Sequence, residues 1–311
     1  MIDLIDFNDC KETTRTYGGN AGRKIAISFD GMPWIIKYPG NLKNFPDIAI
    51  DYSTSPLAEY LASHIYELLN IPVHQTILGI IDDKIVVACK DFCENDKLLA
   101  EFKTFKVTYK INNNKATDGD GTILTDILEV LQENKILLNT EGIKTRFWDM
   151  FVVDAFLGNP DRNNGNWGLL QNFNREILGL APVYDNGNSL NSKWDNPRMK
   201  NFLKGAFKHN KILNSSTSVY YDNEGKHIKP FIFLNQTSDL NCINSVISIY
   251  EKIKIDDINN LINELYKSKI ISELQSDFYH TILTKRYEIA LNENYYHALE
   301  IRNNQNQRIN I

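Results

Sequence analysis

Cysteine is scarce in this 311-residue chain, which contains only Cys10, Cys89, Cys93 and Cys242. Four scattered cysteines do not make a disulfide framework, and Cys89 and Cys93 form a lone C-x3-C without a second pair. Neither disulfide bonds nor a zinc site is therefore expected. We interpret all four residues as reduced thiols, which favours a cytoplasmic location.

Long apolar runs and export signals are missing as well. No run approaches the roughly 20 apolar residues that span a bilayer. The N-terminal sequence MIDLIDFNDCKE has no basic segment followed by an apolar one, as a signal peptide would have. We expect no membrane partner, while non-classical secretion, which needs no such signal, stays open.

An excess of positive charge is also absent, because the formal net charge is −5. Such a chain has no global basic field to recruit nucleic acid or an anionic membrane, so no direct nucleic-acid partner is expected. The 42% hydrophobic and 23% charged residues are typical of a globular protein. The length allows two domains or one large two-lobed domain.

The most informative stretch contains LGNPDRNNGNWGLL and, further on, PVYDNGN. Its carboxylates Asp161 and Asp185 are 24 residues apart, and Asn166 follows the first at the fifth position. Two short apolar runs, Trp167–Leu170 and Ile177–Leu180, flank the turn-like QNFNRE and predict a hairpin that returns Asp185 to the side of Asn166. Asp161 is then a candidate base, and the other two offer oxygen ligands that suit Mg²⁺. Taken alone, DRNNGN is more typical of a surface loop.

A glycine-rich segment, YGGNAGRK, precedes two predicted strands, Ile25–Asp30 and Pro33–Tyr38, joined at an Asp-Gly turn. The glycines let backbone N–H groups approach phosphate oxygens closely, and Lys37 at the end of the second strand offers a point charge. The P-loop spacing is not met, and the segment leads into a strand, which favours a kinase-like glycine-rich loop. The alternative is a glycine-rich turn followed by a surface lysine.

A helix is predicted over Ser55–Leu69, with Ser55 as N-cap and Pro56 in the first turn. Glu59, also placed in the first turn, either complements the helix dipole or pairs with Lys37. We favour the pair with Lys37, because a strand lysine followed by a helix glutamate is the order in protein kinases. Two strands, Val73–Ile81 and Lys84–Cys89, follow.

The second half of the chain is predicted to be mostly helical. A helix over Ile143–Gly158, apolar on nearly all faces, is expected to be buried and to deliver the loop that carries Asp161. Residues 186–230 are interpreted as an activation or substrate-facing segment. Further helices are predicted over about 239–252, 255–268 and 270–300, followed by a frayed tail at 301–311. The predicted fold class is α+β.

The complete set of motifs resembles the HipA-like kinases, bacterial serine/threonine kinases that include persistence toxins, and is most similar to their short form. The resemblance is carried by GGNAGRKI (18–25), WIIKYP (34–39), SPLAEYLASHI (55–65), IVVACKDF (85–92), FWDMFVVDAFLGNPDRNNGNWG (147–168) and APVYDNG (181–187). It implies a two-lobed protein-kinase-like fold. A small β-rich N-lobe with one helix would span residues 1–95, and a larger helical C-lobe would span residues 96–311.

The resemblance also implies the chemistry, namely Mg²⁺/ATP-dependent phosphorylation of serine or threonine on a protein, with autophosphorylation. Asp161 is the implied base, Lys37 and Glu59 complete the catalytic set, and Asn166 and Asp185 are the implied metal ligands. The implied nucleotide-binding residues are Gly18, Gly19, Asn20, Ala21, Gly22, Lys24, Lys37, Ala88, Lys90 and Phe92.

Two features depart from the family pattern. The glycine-rich segment begins by residue 17, so we expect no room for the N-terminal β-domain that helps the toxins dock an antitoxin. The loop reads DRNNGN where similar short-form kinases tend to have histidine at the third position, and Asn163 is expected to weaken or retain activity. An antitoxin or a host protein stays open as partner. A small-molecule or lipid kinase and a nucleotide-binding pseudokinase are the alternative functions.

Overall fold

The computed structural model describes residues 1–15, 23–45, 47–94, 96–116, 118–205 and 208–309, except for the side chains of Asn306, Arg308 and Ile309. Helices and mostly antiparallel sheets both contribute, which confirms the α+β class. Within the described residues, no helix combines the length and the apolar character needed to cross a membrane.

The strands of the described residues are β1 (Ile5–Asp6), β2 (Lys11–Glu12), β3 (Lys24–Phe29), β4 (Met32–Lys37), β5 (Thr76–Ile81), β6 (Lys84–Lys90), β7 (Leu98–Glu101), β8 (Gly168–Gln171) and β9 (Ile177–Leu180). The helices are α1 (Ser55–Leu68), α2 (Phe102–Asn112), α3 (Leu124–Glu133), α4 (Lys135–Leu138), α5 (Ile143–Leu157), α6 (Asn196–Leu203), α7 (His209–Leu213), α8 (Pro230–Leu234), α9 (Leu240–Lys252), α10 (Ile255–Lys267), α11 (Glu273–Lys285) and α12 (Asn292–Ile309), with a π-helical stretch over Arg286–Leu291.

The chain divides into two compact units, each built from three segments. Unit 1 comprises Met1–Phe92, Val183–Ala206 and Lys254–Leu283, and unit 2 comprises Cys93–Pro182, Phe207–Ile253 and Thr284–Ile311.

Unit 1 is organised around a six-stranded sheet in the order β1-β5-β6-β4-β3-β2. Two tight turns are built from residues with positive φ, Asp30 (51°) and Gly31 (72°) at the predicted turn between β3 and β4, and Asp82 (48°) and Asp83 (58°) between β5 and β6. Two successive positive φ angles match the right-handed twist of a tight hairpin. The register that results pairs Ile25 with Ile36 and Ile77 with Ala88, and these residues belong to the core cluster of the sheet or pack against it.

Helix α1 packs on β5 and β6, but its first turn differs from the prediction. The N-cap is Thr54 rather than Ser55, and the Thr54 hydroxyl donates to the carbonyl of Ser192 instead of capping the helix. Glu59 therefore lies beyond the first turn, where it is buried with only 1% exposed. The predicted cap was wrong by one residue because Ser55 is already helical, and its hydroxyl lies 2.8 Å from Ser53 Oγ instead of capping the helix.

Unit 2 is mostly helical, with a three-stranded sheet in the order β7-β8-β9. Helix α5 is buried along almost its whole length, as predicted, and ends at Gly158, whose φ of 68° is the left-handed conformation that glycine adopts without strain. The predicted β8–β9 hairpin is confirmed. The predicted frayed tail over 301–311 is not confirmed, because α12 continues to Ile309, with Ile301 and Arg302 half-buried.

Candidate active site

A partly buried ion-pair network joins three predicted site residues within unit 1. Lys37 ends strand β4, and its Nζ lies 2.7 Å from Glu59 Oε2 on helix α1 and 2.9 Å from Asp185 Oδ1. Burial alone would lower the pKa of Lys37, but the carboxylates of Asp185 and Glu59 outweigh it and hold this pKa well above its usual value. Lys37 is therefore a permanent cation at this site.

Glu59 is held by more than the lysine. Its Oε1 accepts the backbone N–H of Asn186 at 2.7 Å and lies 3.0 Å from His74 Nε2. Burial by itself favours the protonated acid, but Lys37 and His74 together hold the pKa of the Glu59 carboxyl well below its usual range. The carboxylate thus stays ionised in a nearly dry environment, where hydrogen bonds to charged groups are strong.

The segment that carries Asp185 is tied to α1 and to the residues before β5. A parallel bridge joins Val183 to Val73, and the Asn186 side chain donates to Ser63 Oγ at 3.0 Å. Gly187 follows, and a Cβ there would come within 3.1 Å of Glu59 Oε2. Lys37 lowers the pKa of Asp185, against the opposing effects of burial and of Glu59. Asp185 therefore stays ionised and paired with Lys37.

Glu59, His74 and Cys89 place one ligand atom each within 4.8 Å of one another, which raises the question of a metal site. The Lys37 ammonium already lies against the same carboxylate. Burial also raises the pKa of Cys89 far above its usual value, which keeps the thiol protonated, whereas a thiol ligand must be deprotonated. We therefore interpret this cluster as an ion-pair network.

The DRNNGN loop lies in unit 2, after helix α5. Asn163 Nδ2 donates to Asp161 Oδ1 at 3.0 Å, and Asn163 Oδ1 accepts the backbone N–H of Gly165 at 2.9 Å. Asn166 Nδ2 donates to the Asp161 carbonyl at 2.6 Å, which leaves the Asn166 amide oxygen as the group that can bind a cation. Asn163 orients the Asp161 carboxylate, so the departure from the histidine pattern does not remove a hydrogen-bond donor from this loop.

A bidentate ion pair between Arg162 and Asp154 anchors the same loop to helix α5. Arg162 Nε and Nη2 donate to the two carboxylate oxygens of Asp154 at 2.8 and 3.1 Å, and Arg162 Nη1 donates to the Asn166 carbonyl. The side chains of Arg162 and Asp154 are only 1% and 7% exposed. The sequence analysis did not assign this pair, although an arginine directly after the candidate base and an aspartate in an apolar helix were the available signals.

The predicted nucleotide-binding residues are placed unevenly. Gly18, Gly19, Asn20, Ala21 and Gly22 lie outside the described residues. Lys24 begins β3 and is paired in register with Lys37, and its charge helps to lower the pKa of Asp185. Ala88 lies inside β6 with ladder partners on both sides. Lys90 ends that strand, and Phe92 follows it with its ring 5.6 Å from that of Tyr184.

The arrangement in unit 1 defines a class of protein. A strand lysine paired with a helix glutamate, together with an aspartate in an Asp-x-Gly segment, is the set with which protein kinases hold nucleotide phosphates and metal. This set of residues resembles that of a kinase-like phosphotransferase.

Comparison with known proteins identifies the family. The chain is 32% identical over 302 residues to the serine/threonine-protein kinase CtkA of Helicobacter pylori, covering 96% of this chain and 90% of the relative. The crystal structure of the Helicobacter pylori proinflammatory kinase CtkA is similar with a TM-score of 0.84 and 31% identity, covering 96% of this chain and 99% of that chain. This chain belongs to the same serine/threonine kinase family as CtkA, in agreement with the resemblance of its motifs to short-form kinases.

Two further comparisons add little. No family model matches the sequence. A complex of HipA, HipB and operator DNA from Shewanella oneidensis matches with a TM-score of 0.44 and 11% identity, a level at which the likeness carries no structural argument.

Proposed function

We propose that this kinase transfers the γ-phosphate of ATP to serine or threonine hydroxyls of a protein substrate, with Mg²⁺ as the metal, and that it phosphorylates itself. The observation that carries the proposal is the Lys37–Glu59–Asp185 network, because it presents one fixed cation and one fixed carboxylate where nucleotide phosphates and a metal would bind. The proposal includes the two-lobed organisation, with residues 1–95 as the N-lobe and 96–311 as the C-lobe.

Each residue has a distinct task in this proposal. Lys37, held by Glu59, binds phosphate oxygens, and the glycine-rich segment 18–22 covers the phosphates, as in protein kinases. Asp161, oriented by Asn163, accepts or orients the proton of the acceptor hydroxyl. Phosphoryl transfer needs little covalent help from the protein, so positioning and charge neutralisation supply most of the rate.

The donor set fits a hard divalent cation. Asp185 offers a carboxylate and Asn166 an amide oxygen, and Mg²⁺ prefers such oxygen ligands while it keeps water and substrate phosphates in its other positions. When bound, the ion would neutralise charge that develops on the transferred phosphoryl group. An antitoxin or a host protein as partner, the absence of direct nucleic-acid binding and a cytoplasmic location stay predictions.

The acceptor class is tested by competition in one reaction. Purified protein, Mg²⁺ and γ-labelled ATP are incubated with dephosphorylated casein and with phosphatidylinositol vesicles, and label is followed in protein, lipid and small-molecule fractions. We expect label in protein, as phosphoserine or phosphothreonine after acid hydrolysis. Label in the lipid fraction alone would favour the lipid kinase. A labelled small-molecule product other than ATP and free phosphate would favour the small-molecule kinase, and ATP binding without any transfer would favour the pseudokinase.

Replacing Lys37 by methionine should reduce the phosphoryl-transfer rate by about 100- to 1000-fold, the usual effect of losing one preorganised electrostatic contact to the transition state. The variant also leaves Glu59 and Asp185 without their shared cation, so a lower melting temperature is expected. The rate is measured below that temperature. Lys267→Met, which alters an exposed lysine at the end of helix α10, is the matched control and should leave the rate unchanged. A Lys37→Met rate within threefold of wild type would contradict the assignment.

A further inference from the structure

His74 lies between helix α1 and strand β5 and belongs to none of the motifs that identified the kinase. It is 6% exposed. Its backbone N–H donates to the Val183 carbonyl at 2.9 Å, and its side chain reaches Glu59. One residue therefore contacts both the carboxylate that holds Lys37 and the segment that carries Asp185.

The contact with Glu59 has a defined direction. A carboxylate only accepts hydrogen bonds when ionised, and the charges around Glu59 keep it ionised. His74 Nε2 therefore carries a hydrogen and donates it to Oε1. Oε1 also accepts from the Asn186 backbone and Oε2 accepts from Lys37, so His74 provides one of the three contacts that fix the orientation of the carboxylate.

We propose that His74 is a positioning residue for phosphoryl transfer, which through its Nε2–H holds the Glu59 carboxylate in the orientation that aims Lys37. This inference rests on the proposed function, since it requires Lys37 to act on nucleotide phosphates. Small misplacements of such groups are costly, because displacement of a reacting or binding group by about 1 Å can reduce a rate by about 100-fold.

His74 can be tested chemically because it also lines a cleft of about 680 Å³. Helix α1 contributes Ser63 and His64 to this cleft, and the segment before β5 contributes Ile71 and Gln75. Truncation of His74 to alanine opens a space next to Glu59 that adjoins this cleft. A small ring compound added to the solution can therefore take the place of the missing imidazole.

The experiment uses the full chain and compares wild type, His74→Ala, His74→Gln and His74→Leu. The turnover number, the KM for ATP and the melting temperature are measured for each variant. His74→Ala and His74→Leu should lower kcat about 10- to 100-fold with a smaller change in KM. His74→Gln, whose amide can donate from nearly the position of Nε2, should stay within about threefold of wild type. His74→Leu roughly keeps the side-chain volume but has no hydrogen-bond donor. The comparison of His74→Leu with His74→Gln therefore remains informative if the alanine variant folds poorly.

Rescue separates positioning from packing. At pH 8, millimolar imidazole should restore a large part of the kcat of His74→Ala, whereas thiazole, a ring of the same size without an N–H donor, should not. Equal rescue by both compounds, or an unchanged kcat in His74→Leu, would overturn the proposal. No transfer by the wild-type protein would instead refute the proposed function, so the two failures are distinguishable.

Discussion

Replacing Asp161 by asparagine is expected to lower the turnover number for phosphoryl transfer by about 100- to 10,000-fold, the usual contribution of a positioned general base. The substitution keeps the size of the side chain and an oxygen that can accept the hydrogen bond from Asn163 Nδ2. It removes only the negative charge and the ability to take a proton. The variant should therefore fold normally, and the loss should fall on kcat.

The measurement is the initial rate of γ-label transfer at saturating ATP, with ATP affinity determined separately by calorimetry. Asp256→Asn, an exposed aspartate in helix α10, is the matched control and should have the wild-type rate. An Asp161→Asn variant that retains more than a third of the wild-type kcat would show that another group, or no group, acts as the base.

Replacing Asp154 by alanine should reduce the free energy of unfolding by about 3–5 kcal/mol, the usual cost of removing one partner from a buried ion pair. Arg162 would then be left as an uncompensated guanidinium that is 1% exposed. Asn159 Nδ2 would also lose an acceptor, since it donates to Asp154 Oδ1 at 3.1 Å. The DRNNGN loop should lose its anchoring ion pair to helix α5, so activity should fall together with stability.

Chemical denaturation measures this effect, and two variants control it. Glu224→Ala breaks an ion pair whose two side chains are more than 70% exposed and should change stability by less than about 1 kcal/mol. Combining Asp154→Leu with Arg162→Met removes both charges and should cost less than Asp154→Ala, because no buried charge remains unpaired. A cost below about 1 kcal/mol for Asp154→Ala would contradict the account of this pair.

Local patterns in the sequence were sufficient to predict much of the fold. A turn signal, a proline or an apolar period within about 15 residues predicts each of several elements. These are the strands on either side of Gly31, helix α1 and the hairpin of β8 and β9. Residues 98–110 gave no clear prediction, and they form strand β7 and most of helix α2. The β7 strand is short and leads directly into helix α2 at Phe102, so no turn residue marks the boundary.

The candidate site was predicted where residue type and order mattered and missed where tertiary contacts mattered. Lys37 and Glu59 were assigned as a pair from their order on strand and helix, and the structure places them 2.7 Å apart. His74 and Asp154 were not assigned, because the sequence does not show that His74 contacts Glu59 or that Asp154 pairs with Arg162. A histidine before a strand and an aspartate in a buried helix have many structural roles, and only the hydrogen bonds distinguish them.

The central claim is that this chain moves the γ-phosphate of ATP onto a serine or threonine of a protein. The most direct test incubates the purified chain with Mg²⁺ and either γ-labelled or α-labelled ATP, followed by phosphoamino-acid analysis. Covalent label is expected from γ-labelled ATP only, recovered as phosphoserine or phosphothreonine. Label from α-labelled ATP would mean nucleotidyl transfer instead, and absence of label from either nucleotide while ATP still binds would contradict the claim.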